Sequence, residues 1–260
     1  MNLEGLNYNS KHTRYVNIDL DIINDLLDNK KLFKNGGHLA FAYNYLVIAT
    51  WMYGYGEMAQ AGIDGNSVQK ILKGAMGLSE DNRTYNYIIK EGGVLEEMNL
   101  LNTISVLDTP YSREFNKENK TLSITILREV ISDDACRHLS KKKAKEPMRS
   151  ILNRKYHGVE YLGTLQDLDF TIQFDMEKFK PCFEDKDFNY ISWVHAFMKM
   201  KSDMYGGSYS QSQENIADEL EVSVRTLSRV LKKMEVDYKL IKKVHKGNNY
   251  SKTSSKYKVL

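Results

Sequence analysis

Cysteine is scarce in this chain: Cys136 and Cys182 are the only two in 260 residues. That count excludes a disulfide framework and a four-cysteine zinc site, and it suits a reducing, cytoplasmic setting. Proline is almost as rare, with three, which argues against a long Pro-rich disordered tail. Long apolar runs are missing as well. The most apolar stretch, residues 39–52, is shorter than a bilayer span and carries Asn44 inside it. It is therefore expected to be a buried core helix, with no membrane partner. The opening Met1-Asn2-Leu3-Glu4-Gly5 has neither a basic nor an apolar region, so no signal peptide is expected.

Signatures of catalysis are also missing. His12, His38, His138, His157, His195 and His245 are scattered, and no two lie at the i, i+2 to i+5 spacing of a metal pair. There is no G-x-x-x-x-G-K-[ST] phosphate loop. There is no His-x-His pair with a downstream nucleophilic tyrosine. Gly54-Tyr55-Gly56-Glu57 reads as a loop between helices, and Asp133-Asp134 as a helix cap rather than a Mg²⁺ pair. The chain is not expected to be an enzyme, and no catalytic residue, cofactor or metal is assigned.

What the chain does have is segregated charge. The overall net is only +3, yet residues 222–260 hold 11 Lys/Arg against 2 Asp/Glu, a local net of +9. Everything before them therefore sums to −6. A second basic block, 137–155, holds 8 Lys/Arg and one acid, Glu146. Such segregation is the electrostatic footprint of a polyanionic partner.

The C-terminal pattern predicts the elements that carry this charge. Residues 240–245 and 256–260 read as strands around 246–251, a stretch rich in turn formers. Ahead of them, Val224, Leu227, Val230, Leu231 and Met234 lie on one face of a helix over 224–235, with Ser223 as its cap. Residues 212–220, capped by Ser212, form the preceding helix, and the joint Glu221-Val222-Ser223 is short. A long helix over 189–204 comes first, ended by Gly206-Gly207. Helix, helix, tight turn, polar-faced helix and basic hairpin make a winged helix-turn-helix. Its partner is expected to be double-stranded DNA. The third helix would enter the major groove, with Arg225 and Arg229 facing guanine edges. Ser212, Gln213, Ser223, Thr226, Ser228, Lys232 and Lys233 would reach phosphates or bases. Lys242, Lys243, Lys246, Asn248 and Lys252 on the wing would position the domain on phosphates.

The N-terminal half repeats this order. Residues 16–21 and 170–175 each alternate apolar and polar residues and end on an aspartate that can cap a short helix, over 22–27 and 176–183. Long helices over 38–53 and 189–204 match, and 66–76 matches the second helix of the later half. Residues 80–90, capped by Ser79, are the expected recognition helix, offering Asn82, Arg83, Tyr85 and Asn86. Strands over 102–107 and 121–127 would flank a long wing. The fold class expected is thus helix-rich α+β, with two tandem winged helix-turn-helix domains from an internal duplication. The domains run over 14–130 and 168–260. A basic connector over 131–167 joins them, with a helix over 132–145 that carries Lys141, Lys142 and Lys143 towards phosphates. Acidic side chains outnumber basic ones over 14–104, so the first domain would serve dimerisation, DNA contact, or both.

The phrase from Ser212 to Leu231, Ser-Gln-Glu-Asn-Ile-Ala-Asp-Glu-Leu-Glu-Val-Ser-Val-Arg-Thr-Leu-Ser-Arg-Val-Leu, is similar to the helix-turn-helix of many bacterial DNA-binding proteins. By this phrase, the tandem architecture and the absence of catalytic motifs, the chain resembles the theta-type replication initiators of plasmids or phage, and its Lys/Asn/Tyr-rich composition suggests a low-GC bacterial source. That resemblance implies replication initiation at iterated origin repeats. It also implies a second copy of the chain and host replication proteins as partners, and an N-terminal domain shared between dimerisation and DNA. A transcriptional regulator of a mobile element, or a protein–protein adaptor using winged helices, would share the same elements.

Overall fold

Residues 14–116, 121–148, 171–245 and 255–260 are described in a computed structural model, a helix-rich α+β protein with small antiparallel sheets. The first alternating segment forms β1 (Tyr15–Asp19), with Val16 and Ile18 buried. Asp19 accepts the Asp21 N–H at 2.9 Å and so caps α1 (Leu20–Asp28). The cap lies two residues before the expected one because the strand ends at Asp19. Then comes α2 (Gly36–Gly54), in which every side chain from Leu39 to Tyr53 except Thr50 is buried. A helix apolar all round belongs in a core.

The chain continues through α3 (Glu57–Ile63), α4 (Val68–Ala75), α5 (Asn86–Ile89) and α6 (Val94–Glu97). Next are β2 (Leu101–Ser105), β3 (Pro110–Asn116), β4 (Thr121–Ile126), α7 (Asp133–Leu139) and β5 (Lys143–Pro147). The later half holds β6 (Thr171–Asp175), α8 (Met176–Phe179), α9 (Phe188–Met204), β7 (Tyr209–Gln211), α10 (Gln213–Glu219), α11 (Val224–Lys232), β8 (Ile241–His245) and β9 (Ser255–Val259).

All strand pairs described are antiparallel. β1 pairs with β6, aligning Asn17 with Gln173 and Ile18 with Ile172. β3 pairs with β4, β2 with β5, and β9 lies between β7 and β8. Asp175 at the end of β6 accepts the Glu177 N–H at 3.1 Å, as Asp19 does for its own helix, and also takes a two-pronged bond from Arg14 at 2.8 and 2.6 Å.

Three sequence expectations are corrected. Residues 80–90 are not a helix: only α5 within them is helical. Lys73, buried, donates to the carbonyl oxygens of Glu80 at 3.2 Å and Asn82 at 2.8 Å. The Asn82 side chain accepts the Thr84 N–H at 3.0 Å. These local bonds compete with helical ones. Nor is 132–145 one helix. α7 stops at Leu139, and the basic run turns into β5, paired to β2 from Leu101↔Pro147 to Ser105↔Lys143. Consequently the strands over 102–107 and 121–127 exist but do not flank one wing, since each pairs elsewhere.

By packing, the chain divides into two compact units, Met1–Ile22 with Tyr45–Glu177, and Ile23–Asn44 with Lys178–Leu260. The divisions fall inside α1, α2 and α8. Within the second unit, Tyr43 packs on Trp193 with ring centres 5.3 Å apart, and Asn44 donates to the Asn189 carbonyl at 3.1 Å. The early segment thereby completes the core around α9.

Candidate nucleic-acid interface

The second unit contains the polar-faced helix. Ser212 caps α10 by accepting the Asn215 N–H at 3.2 Å. Ser223 caps α11 by accepting the Thr226 N–H at 3.0 Å, and its hydroxyl donates to Thr226 Oγ1 at 2.9 Å. The turn between the helices places Glu221 at φ 55, and the Val222 N–H closes it onto the Ala217 carbonyl at 2.9 Å. On α11, Leu227, Val230 and Leu231 are buried, with Met234 just beyond. Arg225, Ser228, Arg229 and Lys232 are exposed. The 3.6-residue period sorts these positions, but Val224, expected on the apolar face, is exposed in the first turn.

These polar residues have different employments. Ser228 donates to Gln213 Oε1 at 2.5 Å, and Gln213 Nε2 reaches Tyr257 Oη at 3.4 Å. Ser228 and Gln213 therefore brace α10, α11 and β9 together. Arg229 forms a fork on Asp187, Nε and Nη2 each 2.9 Å from a carboxylate oxygen. Lys233 bridges Asp185 at 2.6 Å and Asp187 at 2.9 Å, and Tyr238 donates to Asp185 at 2.7 Å. Burial pulls both carboxyls up. The bonds from Lys233, Tyr238 and a backbone N–H at Asp185, and from Arg229 and Lys233 at Asp187, outweigh it and hold both below the ordinary aspartate value. Burial pulls Lys233 down, but its two carboxylates win and raise it. Arg225 and Lys232 take no ion pair among the described residues and stand clear for an anion.

The hairpin adds charge. Lys242 and Lys258 are exposed and lie directly opposite each other across β8 and β9. Like charges so placed destabilise a ladder, and a bound anion would relieve them. Lys243 is half-buried, its ammonium 5.9 Å from the centre of the Tyr257 ring, and its N–H donates to Glu235 at 3.3 Å. Lys256 is exposed on β9. Sequence reading passed over Lys256 and Lys258. Their alternate positions in Ser255-Lys-Tyr-Lys-Val were the available signal. Lys246, Asn248 and Lys252 lie outside the described residues.

No protein-family model, curated protein or solved structure matches this chain.

The first unit carries a helix pair of similar dimensions. α3 and α10 each have 7 residues, and α4 and α11 both begin 11 residues after them, at Val68 and Val224. Gly65, at φ 83, stands where Glu221 does, and the Asn66 N–H closes the turn onto the Ala61 carbonyl at 2.9 Å. The starts of these helices are 156 residues apart (57 and 213, 68 and 224), as are Asp19 and Asp175, whereas the long helices α2 and α9 begin 152 apart (36 and 188). By the 156-residue spacing α4, rather than residues 80–90, lines up with α11. Lys73 then occupies the place of Arg229, but it is buried and tied to carbonyls. Of the residues expected there, Arg83 is exposed while Asn82, Tyr85 and Asn86 are half-buried, on a turn and at the start of α5.

The basic run leading into β5 is likewise divided. Lys141 and Lys143 are exposed. Lys142 donates to the Gly62 carbonyl at 2.9 Å. Lys145 is buried and donates to Glu96 at 2.9 Å and Thr103 at 2.6 Å. Burial pulls Glu96 up, but Thr103, the Gly92 N–H and Lys145 together hold it below the ordinary glutamate value. A cleft of about 150 Å³ opens here between Gln69, Lys90, Thr103 and Lys143.

Among the described residues no His, Cys, Asp and Glu side chains cluster as a metal site, and no helix is long and apolar enough to cross a membrane. Cys182 is buried, and burial pushes its thiol up to about 12, far from a reactive thiolate.

Proposed function

We propose that the chain binds double-stranded DNA sequence-specifically, through tandem winged helix-turn-helix domains that arose by duplication, and that it acts as a plasmid or phage replication initiator at origin repeats. The observation that carries the DNA reading is the second unit: a capped α11 with Arg225, Arg229 and Lys232 exposed, beside a hairpin with Lys242 opposite Lys258. A duplication is supported by the constant 156-residue spacing of helix pairs, turns and strand-end aspartates. Initiation rests on the resemblance of the tandem architecture. In this reading α11 lies in the major groove and the lysines of β8 and β9 meet phosphates.

A second role, protein contact through the first unit, is favoured by one feature. At the place of Arg229 that unit has Lys73, buried and directed inward.

Footprinting the full chain on DNA flanking its own gene, at two salt concentrations, tests the proposal. Protection of regularly spaced direct repeats, weakening steeply with salt, is the expected result. A single protected promoter palindrome would indicate a transcriptional regulator. Absence of protection at either concentration would leave an adaptor role.

A further inference from the structure

Asp187 stands at the N-cap position of α9, yet its side chain makes no cap bond there. An aspartate at that position ordinarily accepts an N–H of the first turn. Here its carboxylate, with only 6% of the side chain exposed, faces Arg229 instead. It is itself immobilised: its N–H donates to Asp185 at 2.8 Å, and Lys233 holds both aspartates. The Arg229 side chain above it is 45% exposed. Two of its five N–H groups, on Nε and Nη2, face Asp187. The remaining three, two on Nη1 and one on Nη2, have no hydrogen-bond partner among the described residues. Two adjacent donors on that outer edge match the paired acceptors O6 and N7 of guanine.

We infer that Asp187 is a specificity-determining positioning residue: it fixes the plane of Arg229 so that the guanidinium's outer edge reads one guanine in the major groove. The inference rests on the DNA-binding reading above. Asp187 touches no base itself. It also neutralises Arg229, so that Arg229 adds little to attraction for DNA in general and much to discrimination at one base pair. Arg225, with no such buttress among the described residues, keeps its whole charge for phosphate or base. The first unit lacks the device, because Lys73 is buried and cannot present a fork.

The test uses the full chain and a pool of randomised duplexes. The sequence preferred by the unaltered protein is selected. Affinities are then measured for that duplex and each single-base-pair variant, with unaltered protein, Asp187→Asn, Asp187→Glu and Arg229→Lys. Asp187→Asn is expected to bind all duplexes somewhat more tightly, while its preference for guanine at one position falls about tenfold. Arg229→Lys should lose the same preference at the same position, and Asp187→Glu should recover part of it. A purely structural Asp187 would lower the melting temperature and leave every base preference in place, which would overturn the inference while the DNA-binding reading stood. Were Asp187→Asn too unstable to assay, retention of that guanine by Arg229→Lys would overturn it equally. If the unaltered protein selects no sequence, the DNA reading falls, and this inference with it.

Discussion

Gly36 shows how one residue without a side chain can set a close approach. Its N–H donates to the Glu221 carbonyl at 3.1 Å, in the turn between α10 and α11, and an added Cβ would lie 2.4 Å from that same oxygen. Gly36→Ala is expected to cost about 1–3 kcal/mol, read as a lower melting temperature. Gly74→Ala, in α4 with nothing within 4 Å of an added Cβ, should be neutral or stabilising by up to about 1 kcal/mol. His195 makes a prediction in pH. It is buried against the edge of Phe179, and burial, then Lys178 and Lys199, lowers its value to about 3. The unfolded chain takes up that proton near pH 6.5 and the folded chain does not. Stability from this site is therefore full above about pH 6.5 and declines as pH falls from there towards 3, by at most about 1.4 kcal/mol per unit. His195→Gln should flatten the melting temperature over pH 4–6.5. An unchanged slope would assign the loss to other groups.

At the scale of elements, the two matched helix pairs separate packing from presentation. Ser223 accepts a first-turn N–H of α11, whereas Ser67, in the same place before α4, makes no side-chain cap bond. Ser223→Ala is expected to cost about 1 kcal/mol in urea unfolding, and Ser67→Ala distinctly less. Equal losses would mean that the cap geometry is not what distinguishes them. In α11 the apolar stripe is narrow and the outward face is cationic. In α4 the outward positions include Gly74 and Lys70, the latter paired with Glu80 at 2.7 Å. The strand pair β2 and β5 carries its own polar centre, Glu96, Thr103 and Lys145. There a buried ammonium is tolerated because a carboxylate and a hydroxyl both meet it.

At the scale of the whole molecule, the charge segregation gives a quantitative expectation. For double-stranded DNA the logarithm of affinity should fall linearly with the logarithm of salt, with a slope near −0.9 per phosphate contacted. Lys242→Ala and Lys258→Ala should each reduce that slope by about 1 and weaken all sequences alike. A slope unchanged by both would remove β8 and β9 from the interface. The same pair should melt higher when either lysine is replaced, since the facing charges no longer repel.

What the sequence by itself determined is local. The helix now seen as Val224–Lys232, its serine cap, the strands at 241–245 and 255–259 and the aspartate that ends 171–175 follow from periodicity and short-range hydrogen bonding. Both act within a few residues. The tertiary structure alone decided the pairings and employments. Segment 143–147 is a strand because β2 offers it a ladder and Glu96 meets the Lys145 ammonium, 49 residues away. Residues 80–85 leave the helix because the Lys73 ammonium takes two of their carbonyls. Arg229 is held because Asp187, 42 residues before it, comes within 2.9 Å. Which distant charge or strand edge meets a segment depends on how the chain folds back, and no spacing along the sequence encodes that choice.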